Sequence, residues 1–180
     1  MKKKIAIIGS GIAGLTLANF LYKDKNYDFM VYEKNESLPL NEGYGIQLST
    51  NSIRILNEIN FSKINSQNIY HPEGIDFYNI QNKKICDLDL IQFNANNNKY
   101  TTLHRSTLIE FLKDDIYNQH IRFGKIIKQV SELKGKVLIK FNDNSNDNKY
   151  TTLQRSTLIE FLKDDIYTQH IRFGKRIKEV

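Results

Sequence analysis

The sequence holds one cysteine, Cys86. A lone thiol excludes an intrachain disulfide framework and a cysteine-cluster zinc site, and it sets a reduced, cytoplasmic chain as the expectation. With only two prolines and nine glycines in 180 residues, a collagen-like or proline-rich linker protein is excluded. No run approaches the ~18 apolar residues a membrane-spanning helix needs, so no membrane partner is expected. The four histidines, His71, His104, His120 and His170, have no metal-ligand spacing and no serine or cysteine at a defined offset. No metal site and no catalytic side chain are therefore expected. Asp114-Asp115 and Asp164-Asp165 fall late in expected helices and read as solvated faces.

The formal net charge is +6. Residues 1–98 and 131–148 are each neutral, while residues 99–130 and 149–180 each carry +3. The charge is thus concentrated in two segments and forms no stripe along the chain, and no nucleic-acid partner is expected. What remains is an ordinary globular composition, 40% hydrophobic and 26% charged, at a one-domain length.

The two basic segments are the same sequence. Residues 99–130 recur as 149–180, identical at 28 of 32 positions, with the differences His104/Gln154, Asn118/Thr168, Ile126/Arg176 and Gln129/Glu179. Solenoid repeats need three or more copies that diverge around a hydrophobic pattern, so this pair reads as a duplication. The expected organisation is a domain over 1–142, a polar linker over 143–148, and the duplicate over 149–180. Oligomerisation through the duplicated segment is one expectation that follows.

Periodicity predicts strands over 4–9 and 28–33 around a helix over 12–23, which is a βαβ unit with a parallel sheet. Residues 35–44 read as loop and 49–59 as a helix. Alternation predicts strands over 74–80 and 84–91 around a turn at Gln81-Asn82-Lys83. Thr107-Leu108-Ile109-Glu110 has the pattern of a capping box opening a helix to about Tyr117, with Leu108, Leu112 and Ile116 on its buried face. A strand is expected over 121–130 and another over 136–141, with a turn at Lys134-Gly135 and a polar loop over 142–148. The duplicate repeats the helix over 157–167 and the strand over 171–180.

The apolar start after Lys2-Lys3-Lys4 has the outline of a secretory signal. The glycine spacing inside it points elsewhere. Gly9-Ser10-Gly11-Ile12-Ala13-Gly14 is G-x-G-x-x-G between a strand and a helix. In such a turn the first glycine makes the sharp bend, the second admits a pyrophosphate against the backbone, and the third lets helix and strand pack closely. The helix N-terminus then faces the phosphates. Glu33 ends the second strand at the spacing of the carboxylate that accepts hydrogen bonds from a ribose 2′-hydroxyl. Its charge disfavours a 2′-phosphate. This fingerprint leaves FAD and NAD both open.

Two further segments follow in order: Gly43-Tyr44-Gly45-Ile46-Gln47-Leu48 with Asn51 and Arg54-Ile55-Leu56, and Leu103-His104-Arg105 with Leu108 and Leu112. With residues 5–33 they resemble the N-terminal FAD-binding part of the flavoprotein aromatic hydroxylases, the FAD-dependent monooxygenases that include salicylate hydroxylase-like enzymes. The resemblance covers residues 4 to about 142. It implies an α/β, Rossmann-like FAD-binding domain with a parallel sheet and an added β-hairpin region. The cofactor would be FAD, with NADH or NADPH as reductant and an aromatic or related small molecule as substrate. The implied cofactor-binding residues are Gly9, Ser10, Gly11, Ala13, Gly14, Glu33, Gln47 and Arg105, the arginine reaching the cofactor from just ahead of a helix.

That family also carries an Asp-Gly segment after the hairpin and a later Gly-Asp segment, and this sequence contains neither dipeptide. The fold is therefore expected to be incomplete relative to the family, with catalytic competence in doubt. Two other readings stand beside this one: an NAD-binding oxidoreductase fragment, and a noncatalytic remnant or interaction module built on the repeat.

Overall fold

Apolar side chains alternate along two short strands, and that alternation sets the architecture. In a computed structural model, the residues described are 2–41, 43–94, 97–133, 136–142 and 146–150. Strand β1 (Lys3–Ile8) pairs in parallel with β2 (Tyr27–Tyr32), Ile5 opposite Phe29 and Ile7 opposite Val31. Helix α1 (Ile12–Lys23) crosses between them. Ile5, Ile7, Phe29 and Val31 bury on the face that α1 covers with Leu15, Ala18 and Leu21. The residues between them, Ala6, Met30 and Tyr32, face the other way against Ile139 and Phe141. Period-two alternation thus gives one sheet two cores.

Strand β3 (Gly45–Leu48) and helix α2 (Thr50–Asn57) follow the loop after β2. Strand β4 (Ile69–Tyr70) leads to a hairpin, β5 (Gly74–Tyr78) and β6 (Lys84–Asp89). Its turn holds Asn82 at φ 61°, where the short amide side chain tolerates the left-handed region. Strand β7 (Thr101–His104) lies between β3 and β4, antiparallel to both. Helices α3 (Arg105–Lys113) and α4 (Tyr117–His120) return the chain to β8 (Ile121–Arg122), the third strand of the parallel sheet. Strands β9 (Ile127–Leu133), β10 (Lys136–Phe141) and β11 (Asn146–Tyr150) form an antiparallel sheet on the far side.

The α/β architecture with a parallel sheet and an added hairpin is the one the sequence predicts. Four local expectations are corrected. The capping box is not used: α3 starts directly off β7 at Arg105, with His104 at the N-cap, and Thr107 lies inside the first turn. The helix starts early because β7 is held in register to His104, opposite Gly45, and the Arg105 N–H donates to the Tyr44 carbonyl at 3.0 Å. Second, Arg105 is the first residue of the helix and does not precede it.

Third, the single strand expected over 121–130 is broken at Gly124, whose φ of +68° turns the chain from the parallel sheet into the antiparallel one. A Cβ there would lie 2.9 Å from a carboxylate oxygen of the exposed Glu36, a side chain that can swing aside, so it is the positive φ that calls for glycine. Fourth, residues 146–148, expected as loop, pair as β11 with β10, Asn146 opposite Lys140. Strands β3, β4 and β7 carry no clear alternation of their own and form through each other's backbone groups. The expected turn at Lys134-Gly135 and the helix and strand expected after residue 150 lie outside the described residues.

Helix α3 buries Leu108, Ile109 and Leu112 completely, and Ile116 follows at 1% exposure, as its periodicity requires. Asn19, buried on α1, donates from Nδ2 to the carbonyls of Leu15 at 2.9 Å and Leu112 at 2.6 Å. It fastens the end of α3 to α1 while satisfying its own buried amide.

Candidate functional site

The turn between β1 and α1 is shaped by its three glycines, each for a separate physical reason. Gly9 sits at φ +95°, a conformation L side chains rarely adopt, and its N–H donates to the Tyr32 carbonyl at 2.8 Å. A Cβ on Gly11 would meet nothing within 4 Å, so the backbone there faces open space. A Cβ on Gly14 would lie 2.1 Å from the Gly9 carbonyl oxygen and 3.3 Å from the Ile7 side chain. Only glycine lets α1 pack against the turn at that point. Gly11 is the N-cap and has no side chain to close the helix end, and the first turn carries no acidic residue. The leading N–H groups and the positive end of the helix dipole therefore meet the open space beside Gly11. Ala13 is exposed on the same turn.

Glu33 stands beside this turn, 7% exposed. Its Oε2 accepts from the Ser10 N–H and the Ser10 hydroxyl, both at 2.8 Å, and its Oε1 accepts from the Asn35 N–H at 3.0 Å. The Glu33 N–H donates to the Arg122 carbonyl at 2.9 Å, and its own carbonyl accepts from the Lys125 N–H at 2.8 Å. Burial pushes the carboxyl up, but donors at Asn35, Ser10 and Lys34 together outweigh it and hold the group below its ordinary value. Glu33 is therefore an oriented, ionised acceptor. Oε2 already takes two donors, so the lone-pair capacity left for a further donor lies on Oε1.

A second group forms on the β3–β7 pair. Gln47 lies opposite Thr102, and its Oε1 accepts from the Tyr100 hydroxyl at 2.8 Å. Arg105, half-buried at the start of α3, has its guanidinium carbon 5.7 Å from the centre of the Tyr44 ring, within cation–π range. Gln47, Gln67, Tyr70 and His104 help line a groove of about 450 Å³ between β3, β7 and β4. The structure thus gathers Gly9, Ser10, Gly11, Ala13, Gly14 and Glu33 in one cluster and Gln47 and Arg105 in another. The helices α1 and α3, packed on each other, connect them.

Sequence reasoning missed three contributors. Asn35 supplies a backbone donor to Glu33, Tyr44 supplies the ring beside Arg105, and Tyr100 orients Gln47. Asn35 acts through its main chain and leaves no sequence signal. The two tyrosines are among ten spread along the chain. Asp114 and Asp115 are both exposed and rim a surface hollow with Lys63, Lys113 and Glu110.

The model of the NAD(P)-binding Rossmann-like domain matches residues 7–41. An FAD-dependent monooxygenase of Metarhizium robertsii is 32% identical over 92 residues, 47% of this chain and 28% of that protein. The 3-amino-4-hydroxybenzoate 2-monooxygenase of Streptomyces cremeus is 27% identical over 146 residues, 78% of this chain and 36% of that one. Among solved structures, Klebsiella pneumoniae HpxO complexed with FAD and uric acid superposes with a TM-score of 0.67 at 19% identity. That match covers 82% of this chain and 37% of HpxO. The chain therefore spans about a third of the length of these relatives, is similar to their N-terminal part, and shares its fold.

Proposed function

We propose that this chain binds FAD and forms the cofactor-binding part of an FAD-dependent monooxygenase, with residues 1–142 as the binding unit. The observation that carries the reading is the placement of Glu33, ionised and anchored by Ser10, next to a glycine turn that is open at Gly11 and closed at Gly14. The residues fit the ADP half of the cofactor. The pyrophosphate would lie against Gly9, Ser10, Gly11 and Ala13 at the α1 N-terminus, and Glu33 would accept from the adenosine ribose. Arg105 and Gln47, on the β3–β7 pair, are the candidates for contacts further along the cofactor.

When bound, FAD would supply the redox chemistry, taking electrons from NADH or NADPH and activating oxygen for insertion into an aromatic or related small molecule. The chain's own residues bind and orient. A small-molecule substrate accords with the relatives' names, which specify an aromatic acid and uric acid. Among the described residues no helix is long and apolar enough to cross a membrane. The lone, exposed thiol of Cys86 supports a reducing, cytoplasmic setting.

The match to the NAD(P)-binding domain model supports a second reading, in which the same turn holds NAD. Glu33 repels a 2′-phosphate, so this reading excludes NADP at the turn. Titration of the purified chain with FAD, NAD and ADP separates the two. Tighter binding of FAD than of NAD, seen as quenching of flavin fluorescence, supports the first. Binding of NAD with no response to FAD overturns it.

A further inference from the structure

Glu33 is held along its main chain and at its carboxylate. Its N–H donates to the Arg122 carbonyl at 2.9 Å, and its carbonyl accepts from the Lys125 N–H at 2.8 Å. Its side chain is 7% exposed and meets Ser10, itself 3% exposed. A carboxylate anchored in this way is fixed in orientation, and its two oxygens are not equivalent.

Oε2 takes two donors from one residue, the Ser10 N–H and the Ser10 hydroxyl, both at 2.8 Å. Oε1 takes the Asn35 N–H at 3.0 Å. The Lys34 N–H favours the charged carboxylate least of these groups. A carboxylate offers about four lone-pair positions, two on each oxygen. Oε2 is therefore filled, and the position left over lies on Oε1.

A ribose presents two neighbouring hydroxyls, the 2′ and the 3′. A carboxylate with an open position on each oxygen can accept from both at once. Glu33 has no such pair. The N–H groups of Ser10 and Asn35 belong to the main chain and are set by the turn at Gly9 and by the exit from β2. The Ser10 hydroxyl is the one side-chain donor among the three bonds. Without it, Oε2 would keep an open position of its own. Its burial shields it from water that would compete for the bond.

Resting on the reading that this turn holds an adenine nucleotide, we propose that Ser10 is a positioning residue whose hydroxyl closes Oε2, so that Glu33 holds the ribose through a single hydroxyl accepted by Oε1. The other ribose hydroxyl has no partner on Glu33. The site then takes an adenine nucleotide that keeps the one hydroxyl and tolerates loss of the second. With alanine at position 10, Oε2 regains a position and the two hydroxyls can be met together.

The test is calorimetric titration of the full chain, parent and Ser10→Ala, with ADP, 2′-deoxy-ADP and 3′-deoxy-ADP. In the parent, one deoxy nucleotide should bind about tenfold or more weakly than ADP, the loss of one hydrogen bond to a charged group. The other should bind as ADP does. In Ser10→Ala both deoxy nucleotides should bind more weakly than ADP, and the contrast between them should shrink. Equal weakening by the two analogues in the parent overturns the proposal. So does an unchanged contrast in Ser10→Ala, including the case in which all three affinities fall together, as they would for a serine with a structural role alone. If neither analogue differs from ADP, the contact between Glu33 and the ribose is removed and the proposal with it. No binding of ADP by the parent overturns instead the placement of the nucleotide at this turn, on which the proposal rests.

Discussion

A Cβ on Gly14 would lie 2.1 Å from the carbonyl oxygen of Gly9, while one on Gly11 would meet nothing within 4 Å. The two glycines of one motif thus serve different ends, and substitution separates them. Gly14→Ala forces α1 off the turn. Overpacking of this kind costs about 1–3 kcal/mol, and the helix preference of alanine over glycine, about 1 kcal/mol, only partly offsets it. Gly11→Ala leaves the denaturation midpoint near that of the parent and weakens FAD binding. Urea unfolding and FAD titration of both variants check the pair: loss of stability in the first, loss of affinity in the second.

Glu33 links stability to pH. Its folded pKa is held below the ordinary value of 4.5. A depressed carboxyl stabilises the fold above its unfolded pKa, and that contribution is lost as pH falls through the folded value. Glu33→Gln removes it while keeping a similar shape. The stability gap between parent and variant should be about 1.5–3 kcal/mol at pH 7, given the worth of hydrogen bonds to a charged group. It should close as pH falls below about 4.5. Urea unfolding at pH 7, 5 and 3.5 gives the profile, and a gap constant across that range would contradict the assigned role.

Asn19 should matter to the fold and not to the ligand. Asn19→Ala strips the hydrogen bond from the buried Leu112 carbonyl, at a cost of about 1–3 kcal/mol. The midpoint of denaturation should fall accordingly, with FAD affinity unchanged under conditions where the variant is folded.

Arg105 and Arg155 occupy the same position in the two copies, yet only one glycine turn and one Glu33 exist to complete a site. Binding should saturate at one FAD per chain. Arg105→Ala should lower affinity more than Arg155→Ala. A stoichiometry of two, or equal losses in the two variants, would overturn the single-site reading.

The parallel βαβ unit was legible because its signals are local. Alternating apolar residues over 4–8 and 28–32, a helical stripe through Leu15, Ala18 and Leu21, and glycines at fixed spacing each report the geometry of their own segment. Glu33 could be found for the same reason, since the crossover length places it. The hairpin was legible through its alternation and the Asn82 turn.

What sequence alone could not supply lies in contacts made at long range. Strands β3, β4 and β7 have weak patterns because their partners' backbones hold them, and that pairing drew the start of α3 back to Arg105 against the local capping signal. Gly124 ends β8 because the chain must leave one sheet for another, and a break of that kind leaves no apolar period to read. The same holds for the site. Residue types and spacing named Glu33, but its lowered pKa arises from four donors that only the folded turn brings to it, three of them main-chain groups. The repeat was plain in the sequence. That its buried residues are all conserved between copies, and that the three described differences face solvent, required the tertiary structure, because burial belongs to the whole packed chain and to no segment of it.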